Sequence, residues 1–333
     1  MKKDLLIIGA GLSGLYSAYL LQDKYNITII EARDRIGGRI VTVEEHDLGP
    51  SWVWIHHIHI MELINELNLE LFEQYEEGFA VYEDKFRLEK FEAQKMMPSY
   101  KISGGIYEII NSLKKQLDVT FCINEEVQKV TYQNNSVKVT TSKKEHLSDF
   151  VISTLAPRLL VQSIEFFPKL DISTVQKFLS ISTWMAHCTK YVVEYDAAFW
   201  KEDGLSGFGI SHTGPLSEIH DASTKSKFAI MGFVHRDIQT DESQIVRQLV
   251  RLFGKKAEIT KKIHRVDWKN EKYTATSLDS ISEHPKNEGM LKSIYHNKVM
   301  FIGSETASLE SGYLEGAVIS AKEMAETIIE GQK

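Results

Sequence analysis

The sequence predicts an α/β protein in which a Rossmann-like dinucleotide-binding domain is interleaved with a smaller α+β domain. Three observations carry this reading. A short apolar run, Leu5 to Ile8, meets glycines at Gly9, Gly11 and Gly14, and Leu15, Ala18, Tyr19 and Leu21 then recur at helical spacing. A second β-branched run, Ile27 to Ile30, completes one βαβ unit of a parallel sheet. At the other end of the chain, Val299-Met300-Phe301-Ile302-Gly303 repeats the strand-into-glycine pattern, with a helix expected from Gly316 to Ile329.

Between these ends, Ile60 to Leu71 has helical period, and Pro98 and Gly104-Gly105 punctuate the chain before a second helical stretch at Ile106 to Leu117. Asn134-Asn135 marks a hairpin joining Val127–Val130 to Val137–Val139. Val151 to Thr154 reads as a buried strand. Lys190 to Glu194 and Phe228 to Val234 read as strands, and Glu242 to Phe253 as a helix. A chain of 333 residues exceeds the usual size of one core, so two domains are expected. Residues 1–55, 100–160 and 262–333 are assigned to the dinucleotide domain, and 56–99 and 161–261 to a substrate domain.

The formal charge of -7, with Lys and Arg scattered rather than massed, excludes a polyanion footprint, so no nucleic acid partner is expected. Two cysteines, Cys122 and Cys188, are too few for a disulfide framework, which fits a reducing, cytoplasmic location. No stretch approaches an uninterrupted membrane span, and Asp4 interrupts the opening apolar run where a signal peptide would need continuity.

Gly9-Ala10-Gly11-Leu12-Ser13-Gly14 fits G-x-G-x-x-G, whose glycines permit a tight turn, close approach of backbone to a pyrophosphate, and close packing of helix on strand. Amides at the start of the helix then face the phosphates. Glu31 ends the second strand, where ribose hydroxyls would sit, and its charge repels a 2′-phosphate. The run Glu31 to Arg39 adds Gly37 and Gly38 and three arginines, Arg33, Arg35 and Arg39, able to meet phosphate or their own acidic neighbours. His56, His57 and His59 invite a metal reading, but adjacent positions point in different directions and no Cys or acid cluster completes a site, so no metal is expected.

Together with Asp47-Leu48-Gly49-Pro50-Ser51-Trp52, Gly104-Gly105, Ser153 to Pro157, Gly303 to Thr306 and Ser311 to Ala317, these residues resemble the flavin-containing amine oxidase family. That family comprises the monoamine, polyamine and L-amino-acid oxidases. The Ser311 to Ala317 segment is the most specific match, and the substrate region matches only loosely. The resemblance implies non-nicotinamide chemistry with FAD. It places the turn residues Gly9, Gly11, Leu12, Ser13 and Gly14 on the cofactor, with Glu31 on the adenosine ribose and Arg33 and Arg39 along the diphosphate. Gly38, Gly49, Ser51 and Trp52 would lie against the cofactor, Val127 would meet adenine through its backbone, Glu305 would approach the diphosphate, and Leu314 would open a helix aimed at the flavin.

The same resemblance makes Lys190, Tyr313 and Trp268 the catalytic candidates. Lys190 would hold a water against the flavin, Tyr313 would form one wall of an aromatic cage, and Trp268 with Trp52 would flank the ring. Aligning Glu271 and Tyr273-Thr274 with the family puts the second cage wall at Leu278 and the tethering cysteine of the animal enzymes at Ser277, so FAD is expected to bind non-covalently. The implied reaction is oxidation of a small-molecule amine with dioxygen as acceptor. An FAD-dependent desaturase or isomerase, or a flavin protein without amine turnover, is left open by the unmatched cage.

Overall fold

The computed structural model describes residues 2–93, 97–234, 238–280, 283–287, 290 and 292–330. The opening apolar runs become the centre of a six-stranded sheet in the order Thr120–Cys122, Tyr25–Ile30, Lys3–Ile8, Phe150–Ser153, Val299–Phe301, Ser293–Ile294. The first five strands are mutually parallel, and the last pairs antiparallel. Parallel strands covered on both faces need apolar side chains on both. Leu5 and Ile7 accordingly pack under the helices Leu12–Leu21, Tyr107–Gln116 and Leu314–Glu330, while Leu6 and Ile8 face Val130, Val137 and Val139 of a four-stranded sheet.

In that smaller sheet Asn134 and Asn135 both hold positive φ, 51° and 61°, and the strands Val127–Gln133 and Ser136–Thr141 pair antiparallel across them. Two consecutive left-handed residues twist the turn to match the strands it joins. The hairpin expected from the sequence is therefore present.

A seven-stranded sheet forms the other half of the molecule, in the order Lys262–Asp267, Thr189–Tyr195, Phe228–Val234, Glu218–Asp221, Leu205–Ser211, Phe79–Glu83, Leu88–Phe91. Tyr191, Val193 and Tyr195 pack on one side with Ile245, Leu249 and Leu252 of the helix Glu242–Phe253, which Asp241 and Gln244 close with a capping box. Val192 packs on the opposite side, against Leu48 and Trp52. Alternation along this strand thus aims Lys190, in phase with Val192, at the dinucleotide half.

Two boundaries differ from expectation. The helix expected at Ile60 to Leu71 runs Ile58–Glu66, because Asn68 takes a φ of 53° and ends it; Leu71–Glu73 is instead a strand paired with Ser99–Ile102. The strand Lys262–Asp267, grouped from the sequence with the dinucleotide half, is hydrogen-bonded to Thr189–Tyr195 in the seven-stranded sheet. Among the described residues no helix is long and apolar enough to cross a membrane.

Candidate active site

One cavity of about 880 Å³ runs between the two halves. Its first arm is built by the glycine turn. Gly9, at φ 101°, donates its amide to Ile30 O at 2.8 Å, and a Cβ there would sit 2.3 Å from Thr154 Oγ1. A Cβ on Gly14 would lie 2.2 Å from Gly9 O, so this glycine is required for helix and strand to touch. Gly11 is different: a Cβ there would meet nothing within 4 Å and would point into the cavity at the start of the helix Leu12–Leu21. That cradle, roofed by backbone amides, fits a diphosphate.

Glu31 is buried beside the turn and accepts hydrogen bonds from the amides of Ala10 and Arg33, both at 2.9 Å, so it fixes the turn while lining the same arm. The Arg33 guanidinium is held by Glu271 and by Thr274 Oγ1 at 3.0 Å, and its Nε is buried with no partner. An orphaned donor at a cavity wall suits an anionic or hydroxylated ligand. Arg39 forms a bidentate pair with Glu305 at 2.6 and 2.8 Å and also donates to Ser304 Oγ at 2.9 Å. Glu305 therefore stands behind Arg39 rather than in the cavity wall, and orients the guanidinium that does line it. Val127 and Leu314 line the cavity as expected, as do Leu12, Ser13, Gly38, Gly49, Ser51 and Trp52. These features fit a dinucleotide.

The second arm is aromatic. Lys190, 1% exposed, donates to Gly49 O at 2.9 Å and Ser51 Oγ at 2.5 Å, and Trp268 Nε1 donates to Leu48 O at 3.0 Å. The Asp47 to Trp52 segment is thus clamped by the two catalytic candidates from the seven-stranded half. Tyr313 stands near Trp54, at 6.0 Å and close to perpendicular, and near Trp184 at 6.3 Å.

The family model for flavin containing amine oxidoreductases matches residues 12–96 and 74–329, most of the chain. The chain belongs to this family. The probable flavin-containing monoamine oxidase A of Dictyostelium discoideum is 21% identical over 451 aligned positions, covering 98% of this chain and 97% of that protein. The L-amino acid dehydrogenase of Synechocystis is 21% identical over 98% of this chain. Among solved structures, a putrescine oxidase bound to putrescine aligns with a TM-score of 0.85 at 19% identity over 99% of both chains. Cyclohexylamine oxidase from Brevibacterium oxydans aligns with 0.85 at 17% over 100% of both.

In this flavin-containing amine oxidoreductase the lysine carries unusual electrostatics. Burial pushes the Lys190 amine down to about 7, only partly offset by the Asp47 carboxylate, and burial in turn pushes Asp47 up to about 6. The Cys188 thiol, also in the cavity wall, is pushed up to about 12 by burial and is inert at neutral pH.

The position that the resemblance gives the second cage wall does not line the cavity. Leu278 is 46% exposed, its carbonyl is bound by Arg158, and neither it nor Ser277 lines the cavity. Trp184 stands beside Tyr313, its ring stacked on His284 at 3.7 Å. It comes from the turn before the Thr189–Tyr195 strand, and only its aromatic character in a short loop could have drawn attention to it. Thr183, whose buried hydroxyl has no partner, was missed for the same reason. The histidines also need correction: His56 and His57 do not diverge but hold their rings 4.4 Å apart, and Glu310 approaches them.

Proposed function

We propose that this chain is an FAD-dependent amine oxidase of the cytoplasm, acting on a small amine, with FAD held non-covalently. The observation that carries the reading is the continuity of one cavity from Gly11, Glu31 and Val127 to Lys190, Trp268 and Tyr313. A dinucleotide lying along the first arm would present its ring to the second. Ser277 cannot form a thioether and stands away from the cavity. We divide the chain as the sequence suggested, moving residues 262–267 to the substrate half with the strand they pair to.

Bound FAD supplies a hydride acceptor for the carbon bearing the amine, with dioxygen as terminal acceptor, so that an imine and hydrogen peroxide leave. The chain's residues bind, orient and exclude water. Trp52, Trp184, Trp268 and Tyr313 form apolar walls that favour the neutral amine over its ammonium. Lys190, with its amine able to be neutral near pH 7, is placed to hold a water or a proton at Nζ. The exposed carboxylates of Glu76 and Glu218 line the cavity. Carboxylates there draw in a cationic amine.

An anaerobic screen of amines, diamines and amino acids against the purified protein tests the proposal by bleaching of the oxidised flavin band. Bleaching by amines, with peroxide on readmitting air, is expected. If no amine bleaches the band while a non-amine substrate does, the proposal fails in favour of a desaturase or isomerase.

A further inference from the structure

We propose that His56, His57 and Glu310 form a binding site for a first-row divalent cation, Zn²⁺ by its donor set, at the mouth of the aromatic arm. His57 Nε2 and Glu310 Oε2 are 3.4 Å apart, long for a hydrogen bond. Bonds of about 2.0–2.1 Å to a tetrahedral zinc place neighbouring ligand atoms about 3.3 Å from each other. The ring of His56 is 4.4 Å from that of His57, and one ligand atom from each of the three residues falls within 4.8 Å of the others. Two imidazoles and one carboxylate leave a fourth position open, the pattern of accessible rather than purely structural zinc sites. His56 and Glu310 face solvent, which gives the ion a route in, while His57 is only 3% exposed and is fixed in place.

The local charge favours a cation. The groups that act on His57 are Glu310, Glu315 and His56, with no ammonium or guanidinium among them, and burial lowers its affinity for a proton. Glu315 is engaged elsewhere, accepting from the amides of His59 and Ile60 at 3.0 and 2.7 Å. The buried His46–Glu194–His264 group offers the same donor types but differs in this respect. There Lys261 at 2.9 Å and Lys227 at 3.4 Å already neutralise Glu194.

Position gives the ion a consequence. His57 packs against Trp54 at 5.1 Å and Tyr313 at 5.6 Å, and Glu310 lies three residues before Tyr313. A bound ion cross-links the turn that carries Trp54 to the loop that carries Tyr313 and slows access to the cavity. Binding is independent of the amine oxidase reading; the effect on turnover rests on it.

The test is titration of the purified flavoprotein with Zn²⁺ by calorimetry, and with Co²⁺ by absorbance at wavelengths longer than the flavin band. One ion per chain is expected, with the intense visible bands of tetrahedral Co²⁺ displaced by Zn²⁺. Affinity should fall by about tenfold or more in H56Q and in E310Q, surface changes whose folding is checked by circular dichroism and flavin content. Zn²⁺ should raise KM for the amine reversibly by chelator in the wild type and not in E310Q. Absence of binding, or binding of equal affinity in both variants, overturns the site. Binding that leaves KM unchanged overturns the access role, and lack of amine turnover sinks the functional reading while the cobalt spectrum still decides the site.

Discussion

Arg39 and Glu305, 266 residues apart in the chain, meet in a bidentate ion pair with N–O distances of 2.6 and 2.8 Å. The pair joins the glycine-rich run after the second strand to the loop before the last helix, so the two chain ends that form the cofactor arm are fixed to each other. Glu305 is 1% exposed and Arg39 about a third exposed toward the cavity. Replacing Glu305 by Gln leaves a largely desolvated guanidinium with weakened compensation and should cost about 3 kcal/mol, read from urea denaturation. Burial works against the Glu305 charge, but Arg39 outweighs it and holds the carboxyl below its usual range. A depressed folded-state value means that this stabilisation is complete above the ordinary carboxylate range and is lost as pH falls through the folded-state value. The Gln variant should therefore lose stability less steeply in acid, and an unchanged acid slope would count against the pair.

Gly11 and Gly14 should respond oppositely to substitution. Gly14→Ala drives a methyl into Gly9 O and should destabilise the whole chain, whereas the Cβ of Gly11→Val meets nothing within 4 Å. The Val variant is expected to keep its circular dichroism and melting temperature measured without flavin, yet to purify colourless. A yellow Gly11→Val protein would place the diphosphate elsewhere.

Lys190→Met should slow flavin reduction or reoxidation by about tenfold or more in stopped-flow absorbance. A pH dependence of the affected half-reaction near 7 in the wild type should disappear with the amine. Stability gives a second readout. The folded-state value lies below that of the unfolded lysine, about 10.4, so the unfolded chain binds more protons between pH 7 and 10 and wild-type stability rises with pH across that window relative to the variant. Equal rates in both half-reactions would remove Lys190 from the site.

Trp184→Ala and Tyr313→Leu should each raise KM for the best amine by about 2- to 10-fold, the worth of an aromatic contact, while Leu278→Ala should leave it unchanged. A kinetic effect confined to Leu278→Ala would restore the wall to the position the sequence alignment gave it.

Acid precipitation should release all yellow colour into the supernatant, since Ser277 has no thiol and the Cys188 thiol is held protonated by burial. Flavin remaining in the pellet would overturn non-covalent binding.

What the sequence by itself determined was local and periodic. The strand, glycine turn and helix at residues 3–21, the Asn134-Asn135 hairpin and the capped helix at 242–253 follow from spacing of a few residues, and Gly14, which tolerates no Cβ, announces a backbone contact with Gly9 within its own unit. Local signals also erred by local amounts, as where Asn68 ended a helix that hydrophobic period alone would have continued. Only the tertiary structure decided which distant side chains share a wall. Arg39 faces Glu305, Lys190 reaches Ser51, Trp184 rather than Leu278 stands beside Tyr313, and Glu310 comes to two histidines that in sequence had no acid beside them. Loops carry three of these partners, and a loop's path is set by packing against the rest of the chain rather than by a repeating pattern that spacing can reveal.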